Sequence, residues 1–141
     1  MNLLNEATVR CVGVATVAGT STVYSSAVDT DQGDDITFFC TIATKNAGNY
    51  VKIQQHPDDQ FGTEEDLAGS KTVALVDADV VAAEVYRPTK RYVRAAVIRG
   101  ASTALGEIFC IQKGARKLPV DNNEASEIVS TIVVSPAEGT A

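Results

Sequence analysis

Apolar and polar residues alternate with a period of two along most of this chain, and the spacing of an amphipathic helix is hard to find. The alternation predicts strands over 7–17, 21–28, 36–44, 49–56, 71–76, 80–87, 91–99, 105–113 and 127–134. Turn-forming residues separate them at Gly19, Gly33, Asn46–Asn49, Pro57–Gly69, Pro88, Gly100 and Gly114. Short strands at close intervals, with no convincing crossover helix between any pair, predict an all-β fold. The expected architecture is an antiparallel β-sandwich, jelly-roll-like, in a single domain with extended terminal segments. Residues 1–120 form that domain, and 121–141 form a C-terminal tail or an added strand.

Particular faces follow from the same alternation. Ile36, Phe38, Cys40 and Ile42 share one face, while Phe39 on the other implies that the second face is also partly covered. Val93, Ala95 and Val97 oppose Tyr92, Arg94, Ala96 and Ile98, and Arg94 among apolar neighbours needs a carboxylate or solvent. Ile108 and Cys110 oppose Phe109 and Ile111. Apolar on both surfaces, this strand is central or covered by another subunit. The tail segment Ile128–Val134 either adds a strand or docks on a neighbouring chain.

With 141 residues the chain is long enough for one core and too short for two ordinary ones. It is 45% apolar but only 6% aromatic and has no tryptophan, so its strands rest on small and β-branched residues. The net charge of −6 argues against general attraction to nucleic acid. Bases gather at Arg87, Lys90, Arg91, Arg94 and Arg99 and at Lys113, Arg116 and Lys117, whereas acids gather at 29–35 and 58–66. Such runs are solvated faces or contacts with another copy. The N-terminus lacks the charged start and apolar core of a secretory signal, and no window is apolar enough to span a bilayer. Neither a signal-directed route nor a membrane is expected.

Candidate chemistry is sparse. Asp29, Asp31, Asp34 and Asp35 place four carboxylates in seven positions, which invites comparison with a calcium loop. The comparison fails, because Gly33 stands where an oxygen ligand belongs, Asp34 where the glycine belongs and Cys40 where the glutamate belongs. Turn chemistry leading into the strand at 36–44 explains these residues better. The single histidine, His56, has Asp58 and Asp59 beside it but no second histidine or paired cysteine to complete a zinc site. Cys11, Cys40 and Cys110 lie far apart and are expected as free thiols, Cys40 and Cys110 buried. Neither a nucleophile elbow nor a phosphate-binding glycine loop is present. Tyr50, Tyr86 and Tyr92 are the candidates for a carbohydrate-binding surface, with cross-strand packing as their ordinary role. No catalytic, cofactor-binding or metal-ligating residue is assigned, no cofactor is expected, and the chain is read as not an enzyme.

The succession VDTDQGDDITFFCTIAT, NYVKIQQHPDDQFGTEEDLAGS, KRYVRAAVIRG and LGEIFCIQKGARKLPV resembles small virion proteins of tailed bacteriophages. Those proteins carry an acidic turn before a strand, a strand and loop ending in paired acids, and a K-R-Y-V-R strand. The resemblance covers about residues 25–120 and is most specific at Val28–Phe38 and Lys90–Arg94. It departs at His56-Pro57 and in the tail after 120. The family looks like capsid decoration, or cement, proteins. It implies a β-rich homotrimer that binds the major capsid protein on the outer surface of the virion, assembles in the host cytoplasm, and does not touch nucleic acid directly. Tail, baseplate or head-fibre components and a carbohydrate-binding β-sandwich module are the alternative readings.

Overall fold

A computed structural model describes residues 3–63, 65–73 and 80–115. The expected strand at 127–134, the second half of that at 71–76 and the 121–141 tail lie outside the described residues. Among the described residues, a four-residue helix, α1 (Leu3–Glu6), precedes eleven strands. They are β1 (Thr8–Gly13), β2 (Thr16–Gly19), β3 (Val23–Tyr24), β4 (Val28–Asp29), β5 (Asp35–Ile42), β6 (Tyr50–His56), β7 (Glu65–Asp66), β8 (Thr72–Val73), β9 (Val80–Tyr86), β10 (Tyr92–Ile98) and β11 (Thr103–Lys113).

Two antiparallel sheets pack face to face as an all-β sandwich. Sheet I has the order β1-β11-β5-β9, with β2 continuing along the β1 side of β11. Sheet II has the order β3-β10-β6-β7, with β4 continuing along β10 and β8 along β6. Each sheet is therefore about four ribbons wide, and β11 is central, as its two apolar surfaces require.

Two expected strands are interrupted edges. The segment predicted at 7–17 follows β11 throughout, but it breaks at Val14-Ala15, and the register shifts beside the break. The segment predicted at 21–28 forms regular ladder pairs with β10 only at Val23–Tyr24 and at Val28. Between them Ser25 replaces part of the ladder: its N–H donates to Ala95 O at 2.9 Å, and Ala95 N–H donates to its Oγ at 2.9 Å. Ser26 N–H then donates to Val12 O at 2.7 Å, tying the edge of sheet II to sheet I.

Alternation fills the interior as the faces predict. Ile36, Phe38, Cys40 and Ile42 from β5, Val93, Ala95 and Val97 from β10, and Ile108 and Cys110 from β11 are all buried in one cluster. Cys40 and Cys110 are free thiols, and burial pushes them up to about 11 and about 12 respectively. They pack as small apolar groups. Cys11, also free, is only partly buried on the outer side of sheet I.

Candidate interaction surfaces

The acidic turn of residues 29–35 is a corner held by arginines. Asp29 Oδ1 accepts from Asp31 N–H at 3.0 Å and caps the short 3-10 turn Thr30–Gln32. The Arg91 guanidinium grips the same carboxylate at both oxygens, Nε–Oδ1 3.1 Å and Nη2–Oδ2 2.8 Å. That pairing holds the Asp29 carboxyl below the usual carboxylate range and raises Arg91 above its ordinary value. Arg87 reaches Asp34 at 3.4 Å, and Lys113 reaches Asp35 at 3.0 Å. A glycine stands at 33 because the main chain of β11 passes against it: an added Cβ would collide with the Lys113 carbonyl oxygen. The buried Gln112 side chain completes the corner, its Nε2 donating to Asp29 O at 2.8 Å and Gly33 O at 2.7 Å.

Sequence clusters of opposite sign thus find each other within the chain. Lys90 pairs with Glu65 at 2.9 Å, and Lys52 with Asp66 at 2.6 Å, in addition to the arginines of the corner. Spacing could not reveal this, because the partners of Arg91 and Lys90 are contributed by segments distant in sequence. Arg99, counted with the same basic run, is buried instead. Its guanidinium donates to Val17 O at 2.9 Å, Ser21 O at 2.7 Å, Thr103 O at 2.9 Å and Ser21 Oγ at 2.8 Å. Five donors in one rigid fork let it knot three carbonyls of two segments together.

That knot underlies a protruding apolar tip. Val14 and Val17, 80% and 85% exposed, flank the break between β1 and β2 and are the most exposed large apolar side chains among the described residues. Val17 O is one of the carbonyls that Arg99 holds. The tip is consequently fixed from below while its side chains face water.

The outer face of sheet II is a polar lattice. Arg94 lies between the rings of Tyr24 and Phe61, at 4.1 and 4.3 Å, and donates from Nε to Gln54 Oε1 at 2.9 Å. Gln54 Nε2 donates to Asp66 Oδ1 at 2.8 Å, and Asp66 also holds Lys52. This hydrogen bonding lowers Asp66 below, and raises Lys52 above, their ordinary values. Among the described residues, Arg94 meets an amide and two aromatic faces.

His56 is buried at the end of β6 against Phe61, with ring centroids 5.5 Å apart. Its Nδ1 lies 3.0 Å from Asp58 Oδ1 and 3.1 Å from Asp58 O, and Asp58 N–H points to it at 3.3 Å, so the ring fastens the turn that follows in either tautomer. Asp59 Oδ1 accepts from Gln60 Nε2 at 3.3 Å. Among the described residues, no group of three His, Cys, Asp or Glu side chains is arranged to hold a metal ion.

The tyrosines are dispersed. Tyr86 belongs to sheet I, whereas Tyr50 and Tyr92 lie at opposite ends of the β6–β10 pair. Each carries a cation over its ring: Lys71 over Tyr50 at 4.2 Å, Arg87 over Tyr86 at 5.1 Å and Arg91 over Tyr92 at 5.2 Å. They do not line a shared cleft. A pocket of about 290 Å³ lies between the Leu67–Ser70 turn and the end of β9, beside Tyr86, Arg87 and Thr89. Arg87 is the one non-glycine residue with positive φ among the described residues, at 51°. The pocket's Ser70 and Thr89 hydroxyls are engaged, Ser70 Oγ with Ile53 N–H at 3.0 Å and Thr89 Oγ1 with Gln55 Oε1 at 3.1 Å. Among the described residues that line it, no nucleophile stands beside a base.

No protein-family model matches the chain, and no curated protein is significantly similar to it.

Proposed function

We propose that this protein is a structural virion protein of a tailed bacteriophage, a capsid decoration protein that binds the outer surface of the head and stabilises it. The observation that carries the reading is the rigid apolar tip at Val14 and Val17, pinned from below by the buried Arg99. A cement protein must grip a seam between shell subunits with a surface already ordered before contact, because ordering a loop on binding costs affinity. The two-sheet framework supplies stiffness, the charges at Lys90 and Arg91 are paired within the chain, and among the described residues Val14 and Val17 are the most exposed large apolar side chains. The major capsid protein is the partner, a homotrimer the assembled form, and the outer capsid surface the location. An outer position also suits a net charge of −6, which keeps the subunit away from packaged DNA.

The test is co-sedimentation of the purified protein with expanded empty heads, with the temperature of head rupture read in parallel. Binding and a raised rupture temperature are expected. Val14→Asp/Val17→Asp should abolish both while leaving the circular dichroism spectrum unchanged. Loss of neither in that variant would overturn the assignment of the tip, and absence of binding by the native protein would overturn the function.

A further inference from the structure

The pocket beside Arg87 lies where the two sheets meet along one side of the sandwich. The Leu67–Ser70 turn joins β7 to β8 at the margin of sheet II, and β9 is the last strand of the sheet I path. Its volume of about 290 Å³ matches about ten waters at about 30 Å³ each, so it takes a group of roughly ten non-hydrogen atoms. Leu67, Ala68, Val85 and Pro88 give it an apolar wall, and Leu67 and Val85 rest on the core beneath.

Hydrogen-bond donors without acceptors stand on both sides of that wall. In the turn, Ser70 N–H donates to Leu67 O at 3.1 Å and Leu67 N–H to Ile53 O at 2.9 Å, whereas among the described residues the N–H groups of Ala68 and Gly69 have no acceptor within the chain. Opposite them, Arg87 is held at φ 51° by its own N–H, which donates to Asp34 O at 2.7 Å. A glycine would take this left-handed conformation freely, but a residue with a side chain is strained in it, and the following Pro88 narrows the choice further.

Within the chain the Arg87 side chain recovers little of that strain. Its Nε lies 3.4 Å from Asp34 Oδ2 with both side chains exposed, and such pairs contribute little. Its guanidinium sits 5.1 Å over the exposed Tyr86 ring and makes no hydrogen bond among the described residues. Strain kept for the sake of an idle cation at the mouth of a cavity marks a ligand clamp. The acid among the lining residues, Glu84, already holds Lys113 at 3.4 Å, so the unspent charge is positive. A doubly charged anion would be repelled by Asp34 and Glu84 and would waste the apolar wall, whereas a single carboxylate on an apolar body uses both halves of the pocket.

We propose that this pocket binds a small monocarboxylate with an apolar body, its carboxylate on the Arg87 Nη groups and its body against Leu67, Val85 and Pro88. Such binding does not depend on the protein being a decoration protein.

The test is a titration of the ¹⁵N-labelled full-length protein with 3-phenylpropionate, followed through the amide signals and the arginine Nε–H signals. Saturable shifts are expected at Ala68, Gly69 and Arg87 Nε, with a Kd of roughly 1–10 mM, as befits a ligand of this size. The neutral 3-phenylpropionamide should bind at least about tenfold more weakly, because it cannot form the charge-assisted pair. Arg87→Gly, which removes the φ strain, should keep the native melting temperature yet weaken carboxylate binding at least about tenfold. If that variant fails to fold, Arg87→Gln decides with the same expected loss, since it removes only the charge. Absence of saturable shifts at the pocket would overturn the proposal, as would equal affinity for acid and amide or undiminished binding in the Arg87 variants. Inorganic phosphate binding as tightly as 3-phenylpropionate would make the site one for bare anions and would overturn it too.

Discussion

The two outer faces of the sandwich are built by opposite means on the same pleat. On sheet II, Lys52, Gln54 and Arg94 alternate with core residues and are joined through Asp66, Tyr24 and Phe61 into a continuous polar lattice. On sheet I the corresponding outward positions include Phe39, Phe109, Ile111 and Ala82, set among Thr37, Thr41 and Glu84. A strand fixes only that alternate side chains face away from the core. What those side chains are decides whether the face ends in water or calls for another layer.

Phe38→Ala tests the core that both faces share. It should cost about 3–5 kcal/mol in denaturant unfolding, because it empties a fully buried site. Both faces should be lost at one denaturant concentration; two separated transitions would mean that the sheets fold independently. Gly33→Ala strikes the link between the sheets, where the new methyl meets the main chain of β11, and should destabilise by about 1–3 kcal/mol. Phe109→Ala, on sheet I alone, should cost about 1–2 kcal/mol from lost area and lost stacking. That loss should persist in 1 M salt, since it is not a charge effect.

Arg94→Ala, on sheet II alone, should cost about 1 kcal/mol, and salt should shrink the loss. The smallest effect is that of pH. Asp29 and Asp66 have folded values below the ordinary 3.8, so their contribution is complete above that value and is lost as the pH falls through the lower folded values. Acid titration of stability should show this decline, and Asp29→Asn with Asp66→Asn should flatten it. An unaltered slope would mean that these pairs do not contribute.

Much of the fold was legible because alternation registers burial directly. The inward rows of β5, β10 and β11 follow from it residue by residue. The breaks at Val14-Ala15 and around Ser25 were not legible, because Ser25 imitates a ladder partner with its hydroxyl and leaves the apolar rhythm nearly intact. The two-residue strand Glu65–Asp66 was hidden in an acidic stretch, and its pairing with Gln54 and Gln55 is long-range. At the acidic corner, composition pointed to turn chemistry and that is what is found, but Arg91 as its holder needed the three-dimensional register of β4 on β10. The role of Arg99 gave even less signal. An arginine in a basic run reads as surface charge, and only the convergence of three carbonyls shows otherwise.

The cation over each tyrosine ring has a practical corollary. With no tryptophan in the chain, near-ultraviolet emission and dichroism come mainly from four phenols, Tyr24 among them under Arg94. Each chromophore therefore sits in its own fixed electric field, and loosening any one contact should alter its band before the backbone signal changes. The protein carries its own optical gauges, three on the polar sheet and one, Tyr86, on the apolar sheet, so damage to the two layers can be told apart without a label.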